Sequence, residues 1–216
     1  HELKTPLAAI RLLTDSILQT ENIDPNTTRE FVADIGQEAE RLSRITEDLL
    51  RLTRLDSDVL EKPVRVDLLP VMQQVLRMMD LVAEEKNISI TYEARAGCIV
   101  LGTRDELHQV VYNLTDNAVK YSGEGGHVEV SLYPENGQAV LTVADDGVGI
   151  PEEDISRIFE RFYRVDKARS RAAGGTGLGL SIVSDTVRKR GGTVEAANRP
   201  GRSEERRVGK ECRSRW

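Results

Sequence analysis

The chain has 216 residues, with 30 Lys and Arg against 36 Asp and Glu and a formal net charge of −6, a balance that excludes non-specific nucleic-acid binding as its main business. Aromatics make up 4% and charged residues 31%, which suits helices with solvated faces, and two cysteines are too few for a disulfide scaffold or a cysteine metal cluster. No run of about 18 apolar residues reads as a membrane span, no secretory signal is visible, and the cysteine usage fits a reducing compartment.

The chain opens on His1-Glu2-Leu3-Lys4-Thr5-Pro6-Leu7. On a helix His1 and Thr5 share one face a turn apart, with Glu2 beside the histidine. Pro6 has no backbone N–H to give to the carbonyl of Glu2, so a loosened, bent helix is expected near His1; marking a helix N-terminus is the plainer role for such a proline. Leu3, Leu7, Ile10, Leu13, Ile17 and Leu18 predict an amphipathic helix to about residue 21. The stretch Asn22 to Asn26 is a turn by composition, and Thr27 or Thr28 is the expected N-cap of a second helix. In that helix Phe31, Ile35, Glu38, Leu42, Ile45, Leu49 and Leu52 form a near-heptad seam broken only by Glu38. Two helices joined by a short turn make an all-α antiparallel hairpin, residues 1–56, whose seams a lone hairpin cannot cover. Pairing with a second copy into a four-helix bundle is expected, and a hairpin packed on the chain's own C-terminal half is the competing arrangement.

Residues 57–63 read as a linker, and a second unit spans 64–201. Its predicted elements are a short strand at 64–68, a helix at 69–86, and strands at 88–93 and 99–101. A helix at 104–121 follows, capped by Thr103 with Glu106 in the reciprocal position. Strands at 128–132 and 139–144, a helix ending near Arg190 and a strand at 193–197 complete it. The unit is α+β with a largely antiparallel sheet. Residues 202–216 follow neither period and carry six Lys or Arg against three Glu. Their sequence resembles the translation of a sequencing-library adaptor, so they are left out of the expected fold as an assembly scar, a natural basic tail being the alternative.

Three stretches of the second unit carry chemistry. Asn113, Asn117, Lys120 and Tyr121 line one helix face; amide oxygens can ligate a hard cation such as Mg2+ and an ammonium can meet phosphate, although a plain solvated face has the same pattern. Asp145-Asp-Gly147-Val-Gly149 sets a carboxylate at a strand end before two glycines, as a plain turn does, or as a site accepting from the exocyclic amine of a planar ligand does. Gly175-Thr176-Gly177-Leu178-Gly179 precedes a helix whose free N–H groups suit an anion, or serves as a hinge. The charged stretch before it reads as a mobile lid. The Lys-Ser/Thr ending of a Walker loop is missing, and no parallel βαβ unit supports a dinucleotide fingerprint.

Taken in order, His1-Glu-Leu-Lys-Thr-Pro6, the Asn113/Asn117 helix, the Asp145-x-Gly-x-Gly149 loop, Phe159-Glu-Arg-Phe-Tyr-Arg164 and Gly175-Thr-Gly-Leu-Gly179 resemble the sensor histidine kinases of two-component signalling, over nearly all of residues 1–200. The resemblance implies a dimerisation and phosphotransfer hairpin followed by a two-layer ATP-binding sandwich of the type shared with gyrase, the Hsp90 chaperones and MutL. By that similarity His1 attacks the γ-phosphate of ATP, Glu2 acts as base or orients the imidazole, and Thr5 helps position a water when the same helix dephosphorylates the partner. Asn117, with Asn113, would hold Mg2+, and Lys120 and Arg164 would neutralise phosphate charge. Tyr121 would flank the nucleotide and Asp145 would read the adenine amine, with Gly147 and Gly149 giving access. The run from Gly175 through Thr176, Gly177 and Leu178 to Gly179 would close over the triphosphate, and Phe159 and Phe162 would anchor the lid.

The implied partners are a second copy of the chain and the receiver domain of a response regulator, with no nucleic acid and no membrane contact by these residues. The implied setting is the cytoplasmic portion of a parent protein anchored in the cell membrane. An ATP-driven clamp on the same sandwich and a non-catalytic dimer module are the alternatives. Clamp-type relatives typically carry a glutamate at the position of Asn113, and an amide cannot activate water. Set against the family pattern, the sequence reads as a fragment truncated at both ends, with the last strand of the sheet missing and an edge left unpaired.

Overall fold

The computed structural model describes residues 3–20, 23–56, 62–166, 175–198 and 210–216. Helices α1, Lys4–Gln19, and α2, Pro25–Asp56, pack together as the arms of a hairpin. Pro6 is buried in the first described turn of α1, and the Glu2 carbonyl, on which the expected loosening turns, lies outside the described residues. Asp24, rather than Thr27 or Thr28, caps α2. Its Oδ2 accepts from the backbone N–H groups of Asn26 and Thr27, 3.1 Å each, and Pro25, with φ already set for a helix, starts the helix earlier than expected.

The second unit runs β1 (Val64–Asp67), α3 (Leu68–Glu84), β2 (Ser89–Ala94), β3 (Ile99–Gly102), α4 (Arg104–Tyr121), β4 (His127–Glu135), β5 (Gln138–Asp145), a 3-10 turn at Glu152–Asp154, α5 (Gly179–Lys189), β6 (Thr193–Asn198) and β7 (Lys210–Arg215). Asp67 caps α3 by accepting from the Leu69 N–H at 3.1 Å. Thr103 and Glu106 close the capping box of α4 in both directions, as the sequence predicts. The main sheet has the order β2-β4-β5-β7-β6, with β2 parallel to β4 and the remaining pairs antiparallel, while β1 and β3 form a separate antiparallel pair.

Alternation along β4 sends Val128, Val130 and Leu132 inward, where with Leu141 and Val143 of β5 they meet α3, α4 and α5. Val71, Val75 and Met79 of α3, Leu107, Val111 and Leu114 of α4, and Val183 and Val187 of α5 complete this core at helical spacing. Removing each such side chain from water contributes about 1.5–3 kcal/mol, which holds the polar face of α4 in a fixed orientation.

The expectation of a sheet without its last strand is corrected. Strand β7, from the stretch expected to lie outside the fold, fills the slot between β5 and β6, with Lys210 opposite Asp145 and Asn198, and Arg215 opposite Val140 and Thr193. Trp216 prolongs the ladder by exchanging both backbone hydrogen bonds with Ala139, each 3.0 Å, and its ring packs on the core. The physical reason is that β5 and β6 each present a row of backbone donors and acceptors to the gap, and a ladder requires an extended backbone rather than a side-chain period. Most of the expected linker, residues 57–61, lies outside the described residues.

Candidate functional site

Helix α4 is the spine of the site. Its start is fixed by the capping box and by Arg190, whose guanidinium meets Glu106 at 2.7 Å with both side chains largely buried. Its apolar face lies in the core, leaving Asn113, Asn117, Lys120 and Tyr121 on the other side. Asn113 is nevertheless buried. Its Nδ2 donates to the Gly179 carbonyl at 3.1 Å and its Oδ1 accepts from Gln109 Nε2 at 2.9 Å. Asn117, one turn on, is half-buried, and no described residue hydrogen-bonds its side chain. Lys120 Nζ lies 2.6 Å from Asp116 Oδ2.

Asp145 ends β5 and is buried, its Oδ1 accepting from the Gly147 N–H at 3.1 Å. A Cβ on Gly147 would stand 2.3 Å from the Tyr121 carbonyl oxygen, so only glycine lets the loop pass this close to the end of α4. Beyond Gly149, the Asn198 side chain holds both the N–H and the carbonyl of Ile150, at 2.9 and 2.6 Å, and so ties the loop to β6. No sequence signal marks Asn198, because its partner is distant and an asparagine at a strand end is ordinary.

The two motifs on either side of the expected lid meet, while residues 167–174 between them lie outside the described residues. The Phe162 N–H donates to the Gly177 carbonyl at 2.9 Å, and the Arg164 guanidinium donates to the Gly175 carbonyl. Phe162 adopts φ 65°, a left-handed conformation costly for an aromatic residue, opposite Gly177 at φ 75°. The Phe162 ring packs with Leu178 and Ile182 against Ile45, Leu49 and Leu52 of α2, which makes it an anchor, while Phe159 is half-buried. Thr176 Oγ1 donates to Asp48 Oδ2 at 2.7 Å and accepts from the Leu178 N–H at 3.2 Å. Burial pushes the Asp48 carboxyl up from its ordinary value, the Thr176 hydroxyl and the Arg51 charge pulling part of the way back. Burial, and next the Asp116 charge, push the neighbouring Tyr112 phenol up.

These contacts bring Asn113 to Gly179, Tyr121 to Gly147 and Arg164 to Gly175, so most of the predicted residues of the second unit gather around the C-terminal half of α4. Thr5 is exposed on α1, and His1 and Glu2 lie outside the described residues. The competing arrangement for the hairpin is partly realised, since α2 packs on α5 of the same chain. It uses the Ile45 and Leu52 side of the hairpin and leaves other apolar side chains exposed.

Residues 102–213 match the family described as histidine kinase-, DNA gyrase B-, and HSP90-like ATPase, and residues 1–58 match the His Kinase A (phospho-acceptor) domain. The chain belongs to the sensor histidine kinases. Sensor-like histidine kinase SenX3 of Mycolicibacterium smegmatis is 38% identical over 202 residues, which are 93% of this chain and 52% of SenX3. The chain thus spans about half the length of such curated relatives. Among solved structures, full-length ShkA in complex with AMPPNP has a TM-score of 0.69 and 28% identity, covering 100% of this chain and 43% of ShkA. The histidine kinase ThkA in complex with response regulator protein TrrA has a TM-score of 0.76 and 24% identity, covering 100% of this chain and 59% of ThkA, a likeness of fold. The two-unit architecture of this chain is therefore that of histidine kinase cores.

Proposed function

We propose that this chain is the catalytic core of a sensor histidine kinase that phosphorylates its own His1 from ATP and passes the phosphoryl group to a receiver-domain aspartate of a response regulator. The observation that carries this reading is the gathering of Asn113, Tyr121, Asp145, Gly147 and the Gly175–Gly179 run around one helix, in a chain whose first 58 residues match a phosphoacceptor domain.

The donor set fits Mg2+: two amide oxygens one turn apart on a rigid helix, that of Asn117 not taken by any described residue. Among the described residues no three His, Cys, Asp or Glu side chains gather as an alternative metal site. Bound by Asn113 and Asn117, Mg2+ would screen the charge of the triphosphate. Lys120 and Arg164 add positive charge, each now resting on an internal acceptor, Asp116 and the Gly175 carbonyl. Asp145 accepts from the adenine amine and Tyr121 flanks the base, with Gly147 letting the loop lie close against the end of α4 beside them. The Gly175–Gly179 run and the first N–H groups of α5 take phosphate oxygens.

In the transfer step a ring nitrogen of His1 bonds to the γ-phosphorus as the bond to the bridging oxygen breaks and ADP leaves. Glu2 orients the imidazole or accepts its proton, and Thr5, exposed one turn on, holds a water when the regulator is dephosphorylated. Hydrolysis by a clamp is disfavoured because the amide at Asn113 cannot take a proton from water.

The working unit is a homodimer, since Leu7, Leu12, Leu18, Val32 and Leu50 of the hairpin stay 56–77% exposed and a second copy covers them. The reaction belongs in the cytoplasm, where ATP and receiver domains meet, on a parent chain anchored in the membrane. No helix among the described residues is itself long and apolar enough to cross one.

Incubation with Mg2+ and γ-labelled ATP, beside His1→Gln, tests the reading. Acid-labile, alkali-stable label that vanishes in His1→Gln is the expected result. Label retained in the variant, or nucleotide bound by the wild type without any label, would overturn it.

A further inference from the structure

Three hydrogen bonds run in series from the hairpin to the first residue of α5. The Arg51 guanidinium of α2 donates to Gln109 Oε1, Gln109 Nε2 donates to Asn113 Oδ1 at 2.9 Å, and Asn113 Nδ2 donates to the Gly179 carbonyl at 3.1 Å. The direction of the series is forced from both ends. A guanidinium only donates and a backbone carbonyl only accepts, so each amide between them turns its oxygen toward Arg51. An amide oxygen has two lone pairs, so the bond from Gln109 does not exhaust the Asn113 oxygen; it turns that oxygen, the atom a metal needs, toward Gln109 one turn before it on α4 and away from Asn117 one turn after. Mg2+ tolerates little departure from octahedral geometry, which makes an oxygen held in this direction a poor ligand until it is released. The same face of α2 engages the Gly175–Gly179 run, through Asp48 to Thr176 and through Ile45 and Leu52 to Leu178.

We propose that Arg51 and Gln109 are positioning residues that withhold the Asn113 oxygen from Mg2+ while α2 is docked, so that docking of the hairpin and binding of Mg2+-nucleotide oppose one another. The inference rests on the reading of Asn113 as a metal ligand. When α2 moves away, Arg51 leaves with it. Gln109 then loses the partner that fixes its amide, and Asn113 is free to turn.

The test is a Mg2+ titration of the full chain with a fluorescent ATP analogue, read as the Mg2+ concentration at half-maximal binding, with binding in excess chelator as the baseline. Arg51 is exposed, so Arg51→Ala leaves the fold intact. It is expected to lower the midpoint about fivefold, the factor that one hydrogen bond of ordinary strength supplies. Gln109→Leu shifts it in the same direction, the double variant shifts it no further, and Arg51→Lys, which keeps a donor, restores most of the wild-type value. An unchanged or raised midpoint in Arg51→Ala, or additive shifts in the double variant, overturns the proposal. Asn113→Ala separates the two levels. If it leaves the midpoint unchanged, the metal reading falls and the proposal with it; if it abolishes the Mg2+ dependence while Arg51→Ala does nothing, only the relay falls.

Discussion

The Thr176 hydroxyl donates to the Asp48 carboxylate across 2.7 Å and so joins the glycine run before α5 to the C-terminal half of α2. Burial raises the Asp48 carboxyl above its ordinary value of 3.8, so the folded state disfavours the ionised form. The stabilisation from protonated Asp48 is full below the unfolded value and is lost as pH rises through the higher folded one. At neutral pH the buried charge weighs against the contact. Asp48→Asn is therefore expected to melt a few degrees above wild type at pH 7, the gap closing as pH falls toward 4. Melting curves of both proteins across that range check this, and a gap independent of pH would count against it.

Gly147→Ala places a methyl group where only 2.3 Å separates it from the Tyr121 carbonyl. Backbone cannot yield as a side-chain tip can, so a stability loss of about 1–3 kcal/mol is expected together with loss of nucleotide binding. Calorimetric titration with an ATP analogue and a denaturant curve on the same sample measure both effects.

Glu106 serves two partners, the N-terminus of α4 and the guanidinium of Arg190. Glu106→Ala leaves a buried cation without its counter-charge, and a loss of about 3–5 kcal/mol follows. Adding Arg190→Met removes the stranded charge. The double variant is expected to be more stable than Glu106→Ala alone, and additivity in urea unfolding would contradict the pairing.

Deleting residues 202–216 removes β7 and opens two facing strand edges at once. A lower melting temperature and concentration-dependent association in light scattering are the expected outcome. Unchanged melting would mean that the β7 ladder contributes nothing to the fold.

Local chemistry was legible in the sequence and distance was not. The bounds of α4 and its capping box could be read because a cap, a period and a stop lie within a few turns of one another. The Asp145 loop and the Gly175 run stood out by their glycines, and Tyr121 as the neighbour of Gly147 did not. Asp48 and Thr176 are separated by 128 residues, and Arg51 and Gln109 by 58, so no periodicity links them. The seam of α2 predicted one buried face, and Ile45 and Leu52, read there as bundle positions, pack instead on Leu178 and Ile182. Strand β7 escaped because a backbone ladder leaves its side chains free to follow no pattern.

Phe162 and Gly177 meet through a backbone hydrogen bond, and both take left-handed conformations at the meeting point. What lies between them is thereby a ring closed at its base. Once its ends are pinned, the entropy of closing such a ring grows only logarithmically, by about 0.6 kcal/mol for each doubling of length. Insertions and deletions between Arg164 and Gly175 are thus nearly neutral for the rest of the molecule. The stretch between Arg164 and Gly175 can be lengthened, shortened or rewritten while α4, α5 and the sheet keep their places.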